Sequence, residues 1–331
     1  MSTNIISNPI SKPLKIAFAG TPEIAKIVLE HLLNSGFNVS LVLTQPDRPR
    51  GRGNKVSGSP VKQLALARGI DNVLQPVSFK HDAQQSLDVI RALNPDIIIV
   101  VAYGLILPLE LLTIPRLGCV NIHVSLLPRH RGAAPIARSI LAGDRHSGVT
   151  IMQMDAGLDT GDVLLQEKVN IEADDTAGTL HDKLAIVGSR LIVDYLNQFE
   201  QIVPQPQSDI GISYAHKIEK SEAKIDWSNE AVVIERHIRG FNPIPGCFTY
   251  LDDNLVKIWQ AKVVDTDAAL SAAVNGVIAG TVIKMGEEGI FVVCGSGTIL
   301  LILQLQAAGK NRQLVRDYVI GHGDLLGNIF S

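Results

Sequence analysis

Residues 96–101 read D-I-I-I-V-V. An unbroken β-branched run is poorly suited to a helix and well suited to a pleated strand. Its apolar side chains point to both sides, so both faces must be covered, as they are in the middle of a parallel sheet. Neighbouring segments fit the same frame. Residues 15–20 (K-I-A-F-A-G) form a short apolar run ending in glycine. Thr21, Pro22 and Glu23 follow as an N-cap candidate, a proline for the first helical position and an acid for the first turn. A helix is expected to about Asn34, stopped at Gly36, with a strand over 39–43 and another over 119–124. Strands alternating with helical stretches predict an α/β, doubly wound and mostly parallel sheet. Ligands of such sheets sit beyond the carboxyl ends of the strands. Gly20, Tyr103, Gly104 and the segment 121–123 fall at or just after expected strand ends.

The segment 119–136 reads C-V-N-I-H-V-S-L-L-P-R-H-R-G-A-A-P-I. Asn121 and His123 stand at alternate positions of an extended run, so their side chains share a face. A later Gly-rich turn supplies Asp155, Asp159 and Asp162. An amide donor, an imidazole and a carboxylate can polarise a carbonyl, carry a proton and orient the carrier. That set points to acyl-type transfer rather than to redox or phosphoryl chemistry. A strand-end amide, a satisfied buried histidine and turn aspartates are the competing structural explanation. The Gly20-Thr21-Pro22 turn is no G-x-G-x-x-G fingerprint, so a nicotinamide cofactor lacks support.

Between residues 44 and 62 the chain is rich in glycine and proline and carries Arg48, Arg50, Arg52, Lys55 and Lys62, with Asp47 as the only acid. It is expected to be a long basic loop suited to phosphate contact. Residues 176–198 have helical periodicity, with a capping interaction from Thr176 or Thr179, and 201–211 break it as a linker would. From about residue 231 the pattern becomes one short helix (232–239) and runs over 247–251, 256–264, 276–284, 289–294 and 298–304, separated by turn residues. Short strands at that spacing predict a small β-barrel, of which the oligonucleotide-binding type is one.

At 331 residues the chain is expected to hold two domains. A net charge of −3 excludes a protein that coats long nucleic acid and leaves room only for local contact. Three widely spaced cysteines give neither a disulfide framework nor a zinc signature, so a reducing cytoplasm and no metal are expected. No apolar run reaches membrane-spanning length, and no coiled-coil seam is visible, so a monomer without membrane association is expected.

The motifs G-T-P-E, T-Q-P-D-R-P-x-G-R-G, V-V-A-Y-G-L-I-L-P, N-I-H-V-S-L-L-P-R-x-R-G-A-A-P-I, M-D-A-G-L-D-T-G-D, K-I-D-W, I-R-G-F-N-P-x-P-G and A-A-G-K together resemble the methionyl-tRNA formyltransferases over nearly the whole chain. The N-x-H and D-x-G-x-D-x-G parts are shared with other 10-formyltetrahydrofolate enzymes, such as glycinamide ribonucleotide formyltransferase. The resemblance implies a Rossmann-like formyltransferase domain over 14–201, a linker over 202–221 and an OB-like, tRNA-contacting domain over 222–331. It implies formyl transfer from 10-formyltetrahydrofolate to the methionine amino group of charged initiator tRNA. Carried over by motif, Asn121, His123 and Asp159 would be catalytic. Ser125, Leu126, Leu127 and Pro128, with Tyr103 and Gly104, would contact folate. Arg48, Arg50, Arg52 and Lys55 would face the tRNA. His130 stands where the family often has a bulky aromatic residue. Formylation of a small amine, or an inactive tRNA-binding protein, are the alternatives; the basic loop and C-terminal part disfavour the first, and the complete Asn121, His123 and Asp159 set disfavours the second.

Overall fold

The computed structural model describes residues 14–50, 55–79, 83–265, 274 and 276–331. They form two compact units. The first takes the described part of Met1–Arg131 with Gly148–Lys168 and Asp182–Ser213; the second takes Gly132–Ser147, Val169–His181 and Tyr214–Ser331.

The chain opens with β1 (Lys15–Gly20), α1 (Glu23–Asn34) and β2 (Asn38–Leu43), followed by a hairpin of β3 (Arg48–Arg50) and β4 (Lys55–Ser57). Next come α2 (Pro60–Ala67), β5 (Val73–Leu74), α3 (Ala83–Leu93), β6 (Ile97–Val101), α4 (Leu109–Leu112), β7 (Cys119–His123), β8 (Arg131–Gly132) and α5 (Pro135–Leu141). Then follow β9 (His146–Gln153), β10 (Val163–Asn170) and α6 (Ala177–Gln198). A seven-stranded sheet runs β10-β9-β7-β6-β1-β2-β5. The pairs from β7 through β6, β1 and β2 to β5 are parallel, and β9 lies antiparallel to β7. Every residue of β6 is buried, as its β-branched run demanded. One core cluster packs Ala17, Leu41, Ile98, Val100 and Cys119 against Leu87 and Ile90 of α3.

Two local expectations need correction. Thr21 does not cap α1: Pro22 is the N-cap, and its carbonyl accepts from the N–H groups of Ala25 and Lys26. The Thr21 hydroxyl instead donates to the Tyr103 carbonyl at 2.9 Å and accepts from the Gln45 N–H, tying together the chain ends that leave β1, β2 and β6. The basic run is also not wholly irregular. Arg48 and Arg50 lie in β3, Lys55 begins β4, and Ser59 caps α2 by accepting from the Lys62 N–H. Side-chain hydrogen bonding between separate segments explains the order: Lys62 donates to Asp47 and Gln75, and the Gln75 amide reaches Asp47 and the Gln45 carbonyl. Polar side chains with partners 13 to 30 residues away leave no periodic trace in a sequence.

In the second unit, Thr176 and Thr179 exchange side-chain to backbone hydrogen bonds across the first turn of α6, at 2.9 and 3.1 Å. After β11 (Tyr214–Ala215) come α7 (Ala231–Gly240), β12 (Phe248–Leu251), β13 (Asn254–Val264), β14 (Val282–Gly286), β15 (Gly289–Val293), β16 (Ile299–Ala307), β17 (Gln313–Leu314) and α8 (Val315–His322). The antiparallel order is β12-β13-β16-β15-β14, with β17 on β16. The last residues close this sheet. Ser331 exchanges two backbone hydrogen bonds with Tyr250 beside β12, while Asn328 and Phe330 pair with Val282 and Gly280 beside β14. Both free edges are thus occupied by one segment, which converts an open sheet into a small barrel. Its core packs Trp227, Ile258, Val292, Leu300 and Phe330.

Candidate active site

The strand β7 carries Asn121 at its centre and His123 at its end. Asn121 pairs with Val100 of β6 and Met152 of β9, and His123 pairs with Thr150, so both backbones are fixed from two sides or one. The two side chains share a face because they are two residues apart in an extended chain. The turn after β9 brings Asp159 onto that face. Asn121 Nδ2 donates to Asp159 Oδ1 at 3.4 Å, and Asp159 Oδ2 lies 3.6 Å from His123 Nδ1. On the other side of the imidazole, Nε2 is 2.9 Å from the His130 carbonyl. A carbonyl only accepts, so Nε2 carries a hydrogen in this arrangement. The His123 side chain is 7% exposed and that of Asp159 13%, whereas Asn121 is half-buried.

Of the three aspartates in the turn, only Asp159 is oriented to the histidine. Asp155 Oδ1 accepts from the Gly157 N–H and the Thr160 hydroxyl at 3.0 and 2.7 Å and shapes the turn. The Asp162 carbonyl accepts from the Gln153 N–H. Asp159 has φ 53°, a left-handed conformation that aspartate tolerates better than most side chains. His130 shares it, with φ 58°.

The segment Ser125, Leu126, Leu127 and Pro128 follows β7 directly. Ser125 and Leu127 are buried, and Leu126 and Pro128 half-buried. The Thr150 hydroxyl donates to the Ser125 carbonyl at 2.7 Å and accepts from the Leu127 N–H. The Gln166 amide reaches both Thr150 and the Leu127 carbonyl. The sequence signal for Thr150 was a polar residue inside an apolar strand; Gln166 gave none. Tyr103 and Gly104 leave β6 at the same edge at which His123 leaves β7, since those strands are parallel. Tyr103 is 2% exposed, burial pushes its phenol upward, and its hydroxyl has no hydrogen-bond partner among the described residues. Gly104 has φ 85°, and a Cβ there would run into the Gln45 amide.

Arg48 is exposed on β3; Arg50 and Lys55 are placed in the hairpin by their backbones, and Arg52 lies outside the described residues. Among the described residues no group of three or more His, Cys, Asp or Glu is arranged to hold a metal ion. None of their helices is long and apolar enough to cross a membrane.

The formyl transferase family matches residues 14–196, and the family of its C-terminal domain matches 217–323. The methionyl-tRNA formyltransferase of Acidovorax ebreus is 50% identical over 316 residues, covering 93% of this chain and 96% of the relative. That of Bordetella pertussis is 50% identical over 318 residues, covering 93% and 99%. In fold the chain is similar to WlaRD, a sugar 3N-formyl transferase solved in the presence of dTDP and 5-N-formyl-THF. That likeness has a TM-score of 0.63 at 18% identity and covers 91% of this chain and all of the other. Identity near one half along almost the full length, over both domains, decides the matter: the chain belongs to the methionyl-tRNA formyltransferase family.

Proposed function

We infer that this chain transfers a formyl group from 10-formyltetrahydrofolate to the α-amino group of methionine on charged initiator tRNA. The observation that carries the reading is the meeting of Asn121, His123 and Asp159 on one face of β7 in a chain half identical to named methionyl-tRNA formyltransferases. The folate supplies an activated formyl carbonyl on its nitrogen. In the transfer the amine nitrogen bonds to the formyl carbon, the bond from that carbon to the folate nitrogen breaks, and the proton lost by the amine ends on the folate nitrogen.

The residues fit these demands. Asn121 presents N–H donors at a half-buried position and stabilises negative charge on the carbonyl oxygen, which is the role open to a group with no proton to give away. His123 carries the proton. Asp159 holds the ring from its Nδ1 side and compensates positive charge on it. No serine or cysteine nucleophile is needed, because the amine attacks directly.

Ser125 to Pro128, Tyr103 and Gly104 form the folate-contacting part. The orphaned Tyr103 hydroxyl is the kind of buried group that a polar ligand satisfies. Arg48, Arg50, Arg52 and Lys55 contact the tRNA backbone. The catalytic domain spans 14–201, a linker 202–221 and the tRNA-contacting domain 222–331. The protein works as a cytoplasmic monomer, where translation initiates, without metal or membrane.

The test is formyl transfer to charged initiator tRNA, with uncharged tRNA, charged elongator methionine tRNA and glycinamide ribonucleotide as parallel acceptors. Rapid transfer to charged initiator tRNA alone, lost in Asn121→Ala, is the expected result. Transfer to the small amine instead would overturn the substrate assignment.

A further inference from the structure

Residues 202–213 read as a linker, yet they hold the groups on both sides of His123. Gln205 pairs with Val163 through two backbone hydrogen bonds of 2.8 and 2.9 Å, which docks the segment beside the end of the Asp159 turn. Two residues on, Gln207 Nε2 donates to the carbonyls of Asp159 and Gly161, both at 2.8 Å. An amide nitrogen has two N–H groups, and here each is assigned to one carbonyl of the turn. The orientation of that amide is set from behind. Arg131, 7% exposed, directs Nε and Nη2 at Gln207 Oε1, at 3.2 and 2.7 Å. A guanidinium has no acceptor, so the amide oxygen must face it and the amide nitrogen must face the turn.

The other side of the imidazole is served by the end of the same segment. The Ser213 hydroxyl accepts from the His130 N–H at 2.9 Å, and the Ser213 carbonyl accepts from the Arg131 N–H at 2.9 Å. The carbonyl of His130 is the one that faces His123 Nε2. The two residues so held, Asp159 and His130, are both non-glycine residues with positive φ. Such conformations persist where surrounding contacts fix them.

We propose that residues 205–213 are a positioning strap for His123, in which Gln207 sets Asp159 against Nδ1 and Ser213 sets the His130 carbonyl against Nε2. The inference rests on the reading of His123 and Asp159 as active groups. Gln207 and Ser213 touch no reacting atom; they act through the residues they hold. A displacement of a catalytic group by a fraction of an ångström lowers the chemical step while leaving distant binding contacts intact.

The experiment is a pair of double-mutant cycles read by single-turnover formyl transfer to charged initiator tRNA, with KM measured for both substrates. Gln207→Leu is made alone and with Asp159→Ala; Ser213→Ala is made alone and with His123→Ala. Each single change is expected to lower the rate of the chemical step, about tenfold for Gln207→Leu, with both KM values within about threefold of wild type. In the background lacking the residue it positions, each is expected to change the rate by less than about twofold, because groups that act as a unit are not additive. Equal fold-losses in both backgrounds overturn the strap, since a general loss of structure multiplies whatever else is changed. If Gln207→Leu does not accumulate as folded protein, Gln207→Glu serves under the same criterion: it keeps the acceptor for Arg131 and removes both donors to the turn. An Asp159→Ala variant as active as wild type overturns the reading of the active groups and the strap with it. A deficient Asp159→Ala with multiplicative Gln207 losses overturns the strap alone.

Discussion

His123 is 6% exposed and faces an oxygen from each ring nitrogen, whereas Arg48 lies exposed on a three-residue strand beyond β2. Both regions belong to the first unit and both carry polar groups proposed to meet substrate, yet they are built oppositely. Around His123 the turn, the strand and the segment 205–213 are cross-tied, so charge and dipoles are set before a substrate arrives. That suits stabilisation of a transition state, where preorganised groups need no rearrangement at the moment of reaction. At the arginine hairpin, side-chain ties described at its base run through Asp47, Lys62 and Gln75. An exposed cation such as Arg48 suits attraction of a polyanion, a long-range effect that tolerates loose geometry and is weakened by salt.

The contrast fixes where the largest effects should fall. His123→Ala is expected to lower kcat by roughly 10²–10⁴-fold with little change in either KM; a defect confined to the KM for tRNA would place His123 in binding. Asn121→Ala should lower kcat by roughly 10²–10³-fold, the typical loss for one oxyanion donor, and pre-steady-state formyl transfer at saturating substrates reads it directly. Substitutions in the hairpin should behave the other way. Arg48→Ala and Arg52→Ala should each raise the KM for tRNA severalfold and leave that for folate unchanged. Each should also flatten the plot of log affinity against log salt by about 0.7–0.9 per phosphate contact removed. Equal effects on both substrates would dissolve the distinction between the two regions. The smallest effect concerns the base of the hairpin. The hydrogen bond from Lys62, then that from Gln75, holds the Asp47 carboxyl below the usual aspartate range. A depressed folded value means that the contribution of this tie to stability is present above about pH 3.9, the ordinary aspartate value, and is lost as pH falls through the lower folded value. Carboxyl NMR should show Asp47 titrating below its neighbours, and returning to the ordinary range in Lys62→Ala.

Much of the first unit was legible because its signals are local. The β-branched run of β6, the glycine that ends β1 and the T-P-E turn marked strands and helix within about a residue of their observed limits. The alternate spacing of Asn121 and His123 is enough to place both side chains on one face of an extended strand. The capping pair of Thr176 and Thr179 could be read from a spacing of three residues. Thr21 shows the limit of a local signal: the T-P-E pattern is a good capping signal, but the Thr21 hydroxyl is taken by a carbonyl 82 residues away. The final residues occupy both edges of the second sheet through backbone hydrogen bonds, which depend on no side-chain pattern.

The sequence by itself determined the class of fold, the strand that presents Asn121 and His123, and the existence of a carboxylate-bearing turn. These depend on side-chain periodicity and on turn chemistry, which act over a few residues. The tertiary structure decided which of Asp155, Asp159 and Asp162 meets the imidazole, that Gln207 and Ser213 brace it from a segment that reads as a tether, and that residues 328–331 close the barrel. Each of those outcomes rests on a few polar contacts between residues tens of positions apart. Such a bond requires only one donor and one acceptor, which nearly every residue can supply, so nothing in the order of amino acids singles it out until the chain has folded.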